Sequence, residues 1–308
     1  MLLGIRPIVD FAFKKIFGTP ENRIALISLL NAILNLKLPI ADVTLRNPYN
    51  LQDFKDDKLS ILDVKAVDQA GAIYCIEMQL RSFESLIQRI VFYGCELYAD
   101  QLMEADKYSQ IQPVYSICLV NGVIWKDAVE VHHVFRLTDE KTKRVLDGTL
   151  EIHMLELGRY NLTEADLAHA SMLECWLFWL LHAHEYDLET LLKLFPQKAI
   201  QLATQAVARI SQITEDKTMY DSREKAIRDR NWELNAARHE GEMKGKLEGE
   251  LKGKLEGKIE GKVEMIKTLR GLLQMPVGDE QELRTMDLAE LDSLTNSLQG
   301  MLRNRMRE

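Results

Sequence analysis

The chain has 308 residues, 46% of them hydrophobic and 28% charged, which gives a globular protein with room for one large or two ordinary domains. A formal net charge of −8 excludes a wholly basic, histone-like binder of nucleic acid. It leaves open an enzyme that acts on nucleic acid, because affinity follows a local basic surface and bound metal cancels part of the acid.

Cys75, Cys95, Cys118 and Cys175 are widely spaced and form no C-x-x-C pair, so neither a zinc site nor a disulfide framework is expected. The opening MLLGIRPIVDFAFKK carries an acid and two lysines where a signal peptide needs an uninterrupted apolar run. The most apolar stretch, around Trp176 to Leu181, is too short to span a bilayer. A cytoplasmic protein with no membrane partner and no organic cofactor is expected.

Asp10 to Phe17 and Glu21 to Leu36 read as two helices, with Thr19 as N-cap of the second and Pro20 at its first position. Ile24, Ile27, Leu30, Ala32 and Leu34 supply the buried stripe. Leu38 to Leu45 reads as an edge strand or extended segment, and the polar run Asn50 to Ser60 as a loop.

Ile61 to Val67 and Ala72 to Leu80 then form a β-hairpin. If Gly71 takes the left-handed position closing a three-residue loop, Asp68 faces Ala72, Lys65 faces Cys75 and Asp63 faces Glu77. Alternation puts Asp63, Lys65, Glu77 and Gln79 on one face, and Leu62, Val64, Ala66, Tyr74, Ile76, Met78 and Leu80 on the other. Two acids opposed at about 5 Å repel unless a cation offsets them, and a hard divalent ion such as Mg²⁺ takes oxygen ligands of this kind. The same pattern also serves a solvated hairpin face on which Lys65 neutralises the pair.

Phe83 to Gln101 reads as a helix with Leu86, Ile90, Tyr93 and Leu97 on one side, and with Arg81, Gln88 and Arg89 at or near the end close to the carboxylates. A guanidinium there either clamps a phosphate or sits as an ordinary surface charge. Val114 to Val120 suits a strand buried on both faces, and Val129 to Leu137 and Thr149 to Leu157 read as further strands. The order to about residue 160 gives a mixed α/β sheet flanked by helices. Thr163 to Asp216 is helical, with Pro196 as a break. His132 and His133 fall on opposite faces of a strand and His182 and His184 lie two apart on a helix, so neither pair chelates one ion.

From Gly241 to Glu264 a four-residue repeat sets Gly241, Gly245, Gly249, Gly253, Gly257 and Gly261 in one phase, with Met243, Leu247, Leu251, Leu255, Ile259 and Val263 in another. Such a period drifts in the right-handed sense on an α-helix. Six interior glycines disfavour an isolated helix by roughly 6 kcal/mol, so the segment needs a partner or serves as a flexible charged tether. Helical spacing resumes over Met265 to Met275 and Glu280 to Leu302. Three parts are expected: residues 1–160 as the α/β domain, 161–237 as a helical extension and 238–308 as a possible oligomerisation arm.

Asp63 followed on the next strand by Glu77-x-Gln79, with Lys58-x-x-x-Leu62-Asp63-Val64 before it, resembles the PD-(D/E)XK nuclease core in its recombination-promoting nuclease/putative transposase (Rpn) variant, where Gln replaces the usual Lys. The run from Asp10 to Gly18 and Arg89-x-x-x-Tyr93 also resemble it. The resemblance implies an αβββαβ core and metal-dependent hydrolysis of DNA linked to recombination or mobile elements. It implies a cation, Mg²⁺ with Mn²⁺ or Ca²⁺ as substitutes, held by Asp63, Glu77 and the backbone carbonyl of Met78, with Asp10 as a further ligand or simply a helix cap. Gln79 cannot carry the positive charge of a lysine but can orient water, and Lys65 supplies the missing cation. Asp63-x-Lys65 also matches the terminal triplet by itself, which leaves a second alignment open. Arg81 and Arg89 are the expected phosphate contacts, and DNA and further copies of the chain the expected partners. The alternatives are a DNA-binding or assembly protein that keeps the fold without catalysis, and a toxin or antiphage nuclease acting on another nucleic acid.

Overall fold

Apolar runs of strand length build a six-stranded mixed sheet in the computed structural model, which describes residues 2–47, 64–81, 85–102, 107–276 and 279–305. The strands are β1 (Val43–Leu45), β2 (Val64–Asp68), β3 (Ile73–Gln79), β4 (Val114–Val120), β5 (His132–Arg136) and β6 (Leu150–Glu156), in the spatial order β1-β2-β3-β4-β6-β5. β3, β4 and β6 run parallel, and β1, β2 and β5 join antiparallel.

The hairpin has the expected register: Lys65 pairs with Cys75, the Asp68 amide donates to the Ala72 carbonyl at 3.1 Å, and Gly71 sits at φ 91. Asp68 Oδ1 accepts the amides of Ala70 and Ala72 at 2.9 Å, which fixes the loop. The predicted Asp63–Glu77 pairing and the loop over Asn50 to Ser60 lie outside the described residues.

One face of the sheet carries the main core. α1 (Asp10–Phe17), α2 (Arg23–Leu34), α4 (Met172–His182), α5 (Leu188–Leu194) and α6 (Lys198–Gln212) supply it, with Phe11, Phe13, Phe17, Leu29, Trp176, Trp179 and Ile200 buried against Val64, Ala66, Tyr74, Ile76 and Met78. Buried indoles need partners for their N–H groups. Trp176 Nε1 donates to Ser28 Oγ at 3.1 Å and Trp179 Nε1 to Thr204 Oγ1 at 2.9 Å. The second helix starts later than expected: Pro20–Asn22 form a 3₁₀ turn, and the Thr19 hydroxyl donates to the Lys15 carbonyl at 2.6 Å instead of capping.

The other face is not left to solvent. α3 (Leu86–Ala99) lies over it, with Leu86 and Ile90 packed on Cys118, Val120, Ile152 and Met154, and Leu97 on Ile73, Cys75 and Val114. The charged residues of β3 therefore share their face with apolar ones, and β3 is buried along nearly its whole length.

By contacts the chain divides into two compact units, Met1–Ile227 and Arg228–Glu308. The long helix α7 spans Thr214–Leu272, and α8 (Glu280–Thr285) and α9 (Leu288–Arg305) follow it. The second unit has a small core of its own, in which Val263, Ile266 and Leu269 bury against Leu283, Leu291 and Leu298. None of the glycines from Gly241 to Gly261 meets another atom within 4 Å of an added Cβ, and Met243, Leu247, Leu251 and Leu255 are exposed. Among the described residues no helix is long and apolar enough to cross a membrane.

Candidate active site

β3 is an inner strand, so a side chain on its α3-facing side has little access to water unless it lies near a strand end. Glu77, level with Cys118 of β4, is only 4% exposed. Such a carboxylate must find a counter-charge or give up its own. It finds Arg89, whose Nη2 lies 3.2 Å from Glu77 Oε1. The first turns of α3 dictate that meeting, because burial of Leu86 and Ile90 on β4 and β6 turns the intervening Arg89 toward β3.

Gln79, two residues on and therefore on the same face, places its amide nitrogen 3.5 Å from Glu77 Oε2. Burial pushes the Glu77 carboxyl above its ordinary range, and Arg89 and Gln79 pull part of the way back. The Arg89 guanidinium also lies 5.6 Å from the centre of the Tyr93 ring, within cation–π range.

Lys65 is half-buried on β2, and its pairing with Cys75 puts it on the face of Glu77, one diagonal step away. Its backbone is fixed on the β1 side, where its amide donates to Asn47 Oδ1 at 2.6 Å and its carbonyl accepts from the Arg46 amide at 2.8 Å. The structure thus brings Glu77, Gln79, Lys65 and Arg89 to one face. Met78 points the other way, into the main core. Arg81 is exposed just past the end of β3.

Asp10 opens α1, where Oδ1 accepts the Phe11 amide at 2.8 Å. Burial raises its carboxyl, while the Phe11 amide and the charge of Arg223 act against the rise. Among the described residues, the cation that acts on Asp10 is Arg223 and the one that acts on Glu77 is Arg89. Asp63, the other predicted acid, immediately precedes Val64 and lies outside the described residues. Among the described residues no three His, Cys, Asp or Glu side chains form a group that could hold a metal ion.

Sequence reasoning missed the Glu77–Arg89 pair and a second buried carboxylate, Glu156, which is 0% exposed at the end of β6. Glu156 accepts the amides of Ile124 and Trp125 and pairs with Arg159, while the Asn121 amide donates to the Gln79 carbonyl at 2.8 Å. The loop after β4 is thereby tied to the end of the strand that carries Glu77 and Gln79. An acid followed three residues later by an arginine at the end of an apolar run was the available signal.

The chain matches the PD-(D/E)XK nuclease family transposases over residues 7–237. It belongs to that family. The match runs from before α1 into α7 and takes in the whole sheet. No curated protein and no solved structure matches the chain. Membership makes it a nuclease-type protein with a transposition-related role at family level, in a family whose members typically use a divalent metal.

The residues present fit such an ion as far as they are described. Glu77 is a hard oxygen donor that is buried beside a cation and bonded at distances longer than the ~2.7–2.9 Å of a tight charge-assisted pair.

Proposed function

We propose that this PD-(D/E)XK protein is a Mg²⁺-dependent endodeoxyribonuclease acting in recombination or on mobile elements. The observation that supports it most is the environment of Glu77: a carboxylate 4% exposed on an inner strand, with an arginine as counter-charge, and with Gln79 and Lys65 on the same face. In this reading Asp63, Glu77 and the Met78 carbonyl hold the cation, with Asp10 as a further acidic group. A divalent ion bound there makes water more acidic and offsets charge on the scissile phosphate. Gln79 orients the attacking water through its amide, Lys65 supplies the positive charge that glutamine lacks, and Arg81 and Arg89 contact phosphate. Water adds to phosphorus, one ester oxygen leaves with a proton, and no histidine or serine nucleophile is needed.

Plasmid nicking tests the reading. Cleavage by the wild type in Mg²⁺ should disappear in Asp63→Ala and Glu77→Ala, with the thermal transition still cooperative. Wild-type cleavage in excess chelator sinks the mechanism. Absence of cleavage with retained DNA binding turns the reading to a non-catalytic DNA-binding or assembly protein. Cleavage of RNA alone turns it to a nuclease of the toxin or antiphage kind.

We also propose that residues 238–308 form an arm through which two copies of the chain associate. Glu242, Glu248, Glu250, Glu256, Glu260 and Glu264 balance Lys244, Lys246, Lys252, Lys254, Lys258 and Lys262, so two copies meet without net repulsion. Exposed Leu247, Leu251 and Leu255 supply apolar contact opposite the open glycine stripe.

A further inference from the structure

Arg89 does two things that pull against each other. Among the described residues it is the cation paired with Glu77, so it occupies electrostatically the place that a metal ion needs, and its side chain, 38% exposed, is open to a phosphate. We propose that Arg89 is an exchangeable counter-ion: it neutralises Glu77 while the site holds no metal, and moves to the phosphate of the bound strand when a divalent cation takes over Glu77. Metal binding and phosphate binding are thereby coupled through one guanidinium. The inference rests on Glu77 being a metal ligand.

Four observations carry it. The contact is loose, at 3.2 Å from Arg89 Nη2 to Glu77 Oε1, against ~2.7–2.9 Å for a strong charge-assisted bond. The two partners differ in access to solvent: the Glu77 side chain is 6% exposed and that of Arg89 38%, so a ligand arriving from solvent meets the arginine side of the pair first. The backbone of Arg89 is held on a rigid element, with its amide bonded to the Ser85 carbonyl at 3.0 Å and Leu86 and Ile90 buried on either side. Tyr93, one turn on, offers the moving guanidinium an aromatic face, with the ring centre already 5.6 Å away.

Removing a buried carboxylate's resident cation leaves a site that binds an incoming cation more tightly, because nothing has to be displaced. The test uses the full chain and Mn²⁺ alone, followed by paramagnetic resonance or calorimetry without nucleic acid. Arg89→Ala and, to keep the stem packed, Arg89→Gln should each bind Mn²⁺ roughly tenfold more tightly than wild type, in the usual range of a coupling between sites. Both should also lose most of the tightening of DNA binding that Ca²⁺ gives the wild type. A merely structural arginine leaves Mn²⁺ affinity unchanged or lowers it, and that result overturns the proposal when seen in either variant with a cooperative melt. Glu77→Gln separates the two readings. If wild type and Glu77→Gln bind Mn²⁺ equally, or neither binds it, Glu77 is no ligand and the nuclease reading falls with this one. If Glu77→Gln loses the ion but the Arg89 variants gain nothing, the exchange alone is wrong.

Discussion

His132, read from sequence as a strand histidine with no ligand to hold, sits in a chain of polar contacts that crosses two strands. Its Nε2 lies 2.9 Å from His153 Nδ1, His153 Nε2 lies 2.8 Å from Glu151 Oε1, and Arg136 bonds both Glu151 oxygens at 2.7 and 2.8 Å. Since Glu151 can only accept, His153 donates through Nε2 and receives the His132 proton at Nδ1. Burial, then the neighbouring His153 and His133, push His132 down to about 4 from 6.5. Burial alone raises Glu151, but its bonds to His153 and Arg136 win and bring it down to about 2 from 4.5.

Both shifts act in one direction on stability. Where the unfolded chain takes up a proton that the native one refuses, stability is lost as the pH is lowered: through His132 from 6.5 down to about 4, and through Glu151 from 4.5 down to about 2. His132→Asn should flatten the upper window only, an effect of about 1 kcal/mol after screening at a half-buried site, or roughly 2–4 °C in Tm. Thermal melts from pH 7 to pH 4 with an undiminished slope in the variant contradict this. None of it was legible beforehand, because the partners are set by the pairing of His132 with Leu155 and of Val134 with His153, which no local pattern fixes.

At the scale of elements, the sequence carried the hairpin almost completely. Gly71 was the one residue able to close the loop with φ above zero, and the turn it makes sets the register that brings Lys65 to Cys75. The glycine is required twice over, since an added Cβ would also stand 2.9 Å from Gln112 Cγ, on a residue whose backbone is held at both ends by Gln101. Gly71→Ala should therefore cost about 1–2 kcal/mol in urea unfolding. A midpoint unchanged from wild type would show that the loop relaxes freely.

Alternation alone misled on the second face. Lys65, Glu77 and Gln79 marked it as charged, yet Ile73 and Cys75 alternate in the same phase, and α3 needed somewhere to bury Leu97. That omission hid the meeting of Glu77 with Arg89, because a helix is placed over a strand by tertiary packing and not by the spacing within either. That Lys65, Glu77 and Gln79 share a face was readable, and the contact of Glu77 with Arg89 was not.

At the scale of the whole molecule, the glycine repeat is where local energetics and observed structure conflict. α7 runs without a break from Thr214 to Leu272 through seven glycines, of which the six in the repeat cost about 6 kcal/mol relative to alanine. Opposite charges four apart, from Glu242 with Lys246 through Lys252 with Glu256, recover about 0.3–0.5 kcal/mol each, or roughly 2–3 kcal/mol in all. Beyond them Lys254 meets Lys258 and Glu256 meets Glu260, which subtracts from that sum. Charge pairing therefore leaves several kcal/mol unmet, and within the repeat burial comes only at its end, with Ile259 half-buried and Val263 buried.

The proposed association of two copies would supply the difference, and changing the glycines tests it with opposite signs on two readouts. Alanine at Gly245, Gly249, Gly253 and Gly257 together should raise helicity, by about 1 kcal/mol per site, whichever reading holds. If the copies approach through those glycines, the same four methyl groups keep them apart, and light scattering should show the mass falling from a dimer or larger to that of the 35.5 kDa chain. A variant that becomes more helical and keeps the wild-type mass removes the glycines from the interface. A wild type that is already monomeric at micromolar concentration leaves the stretch as a charged spacer.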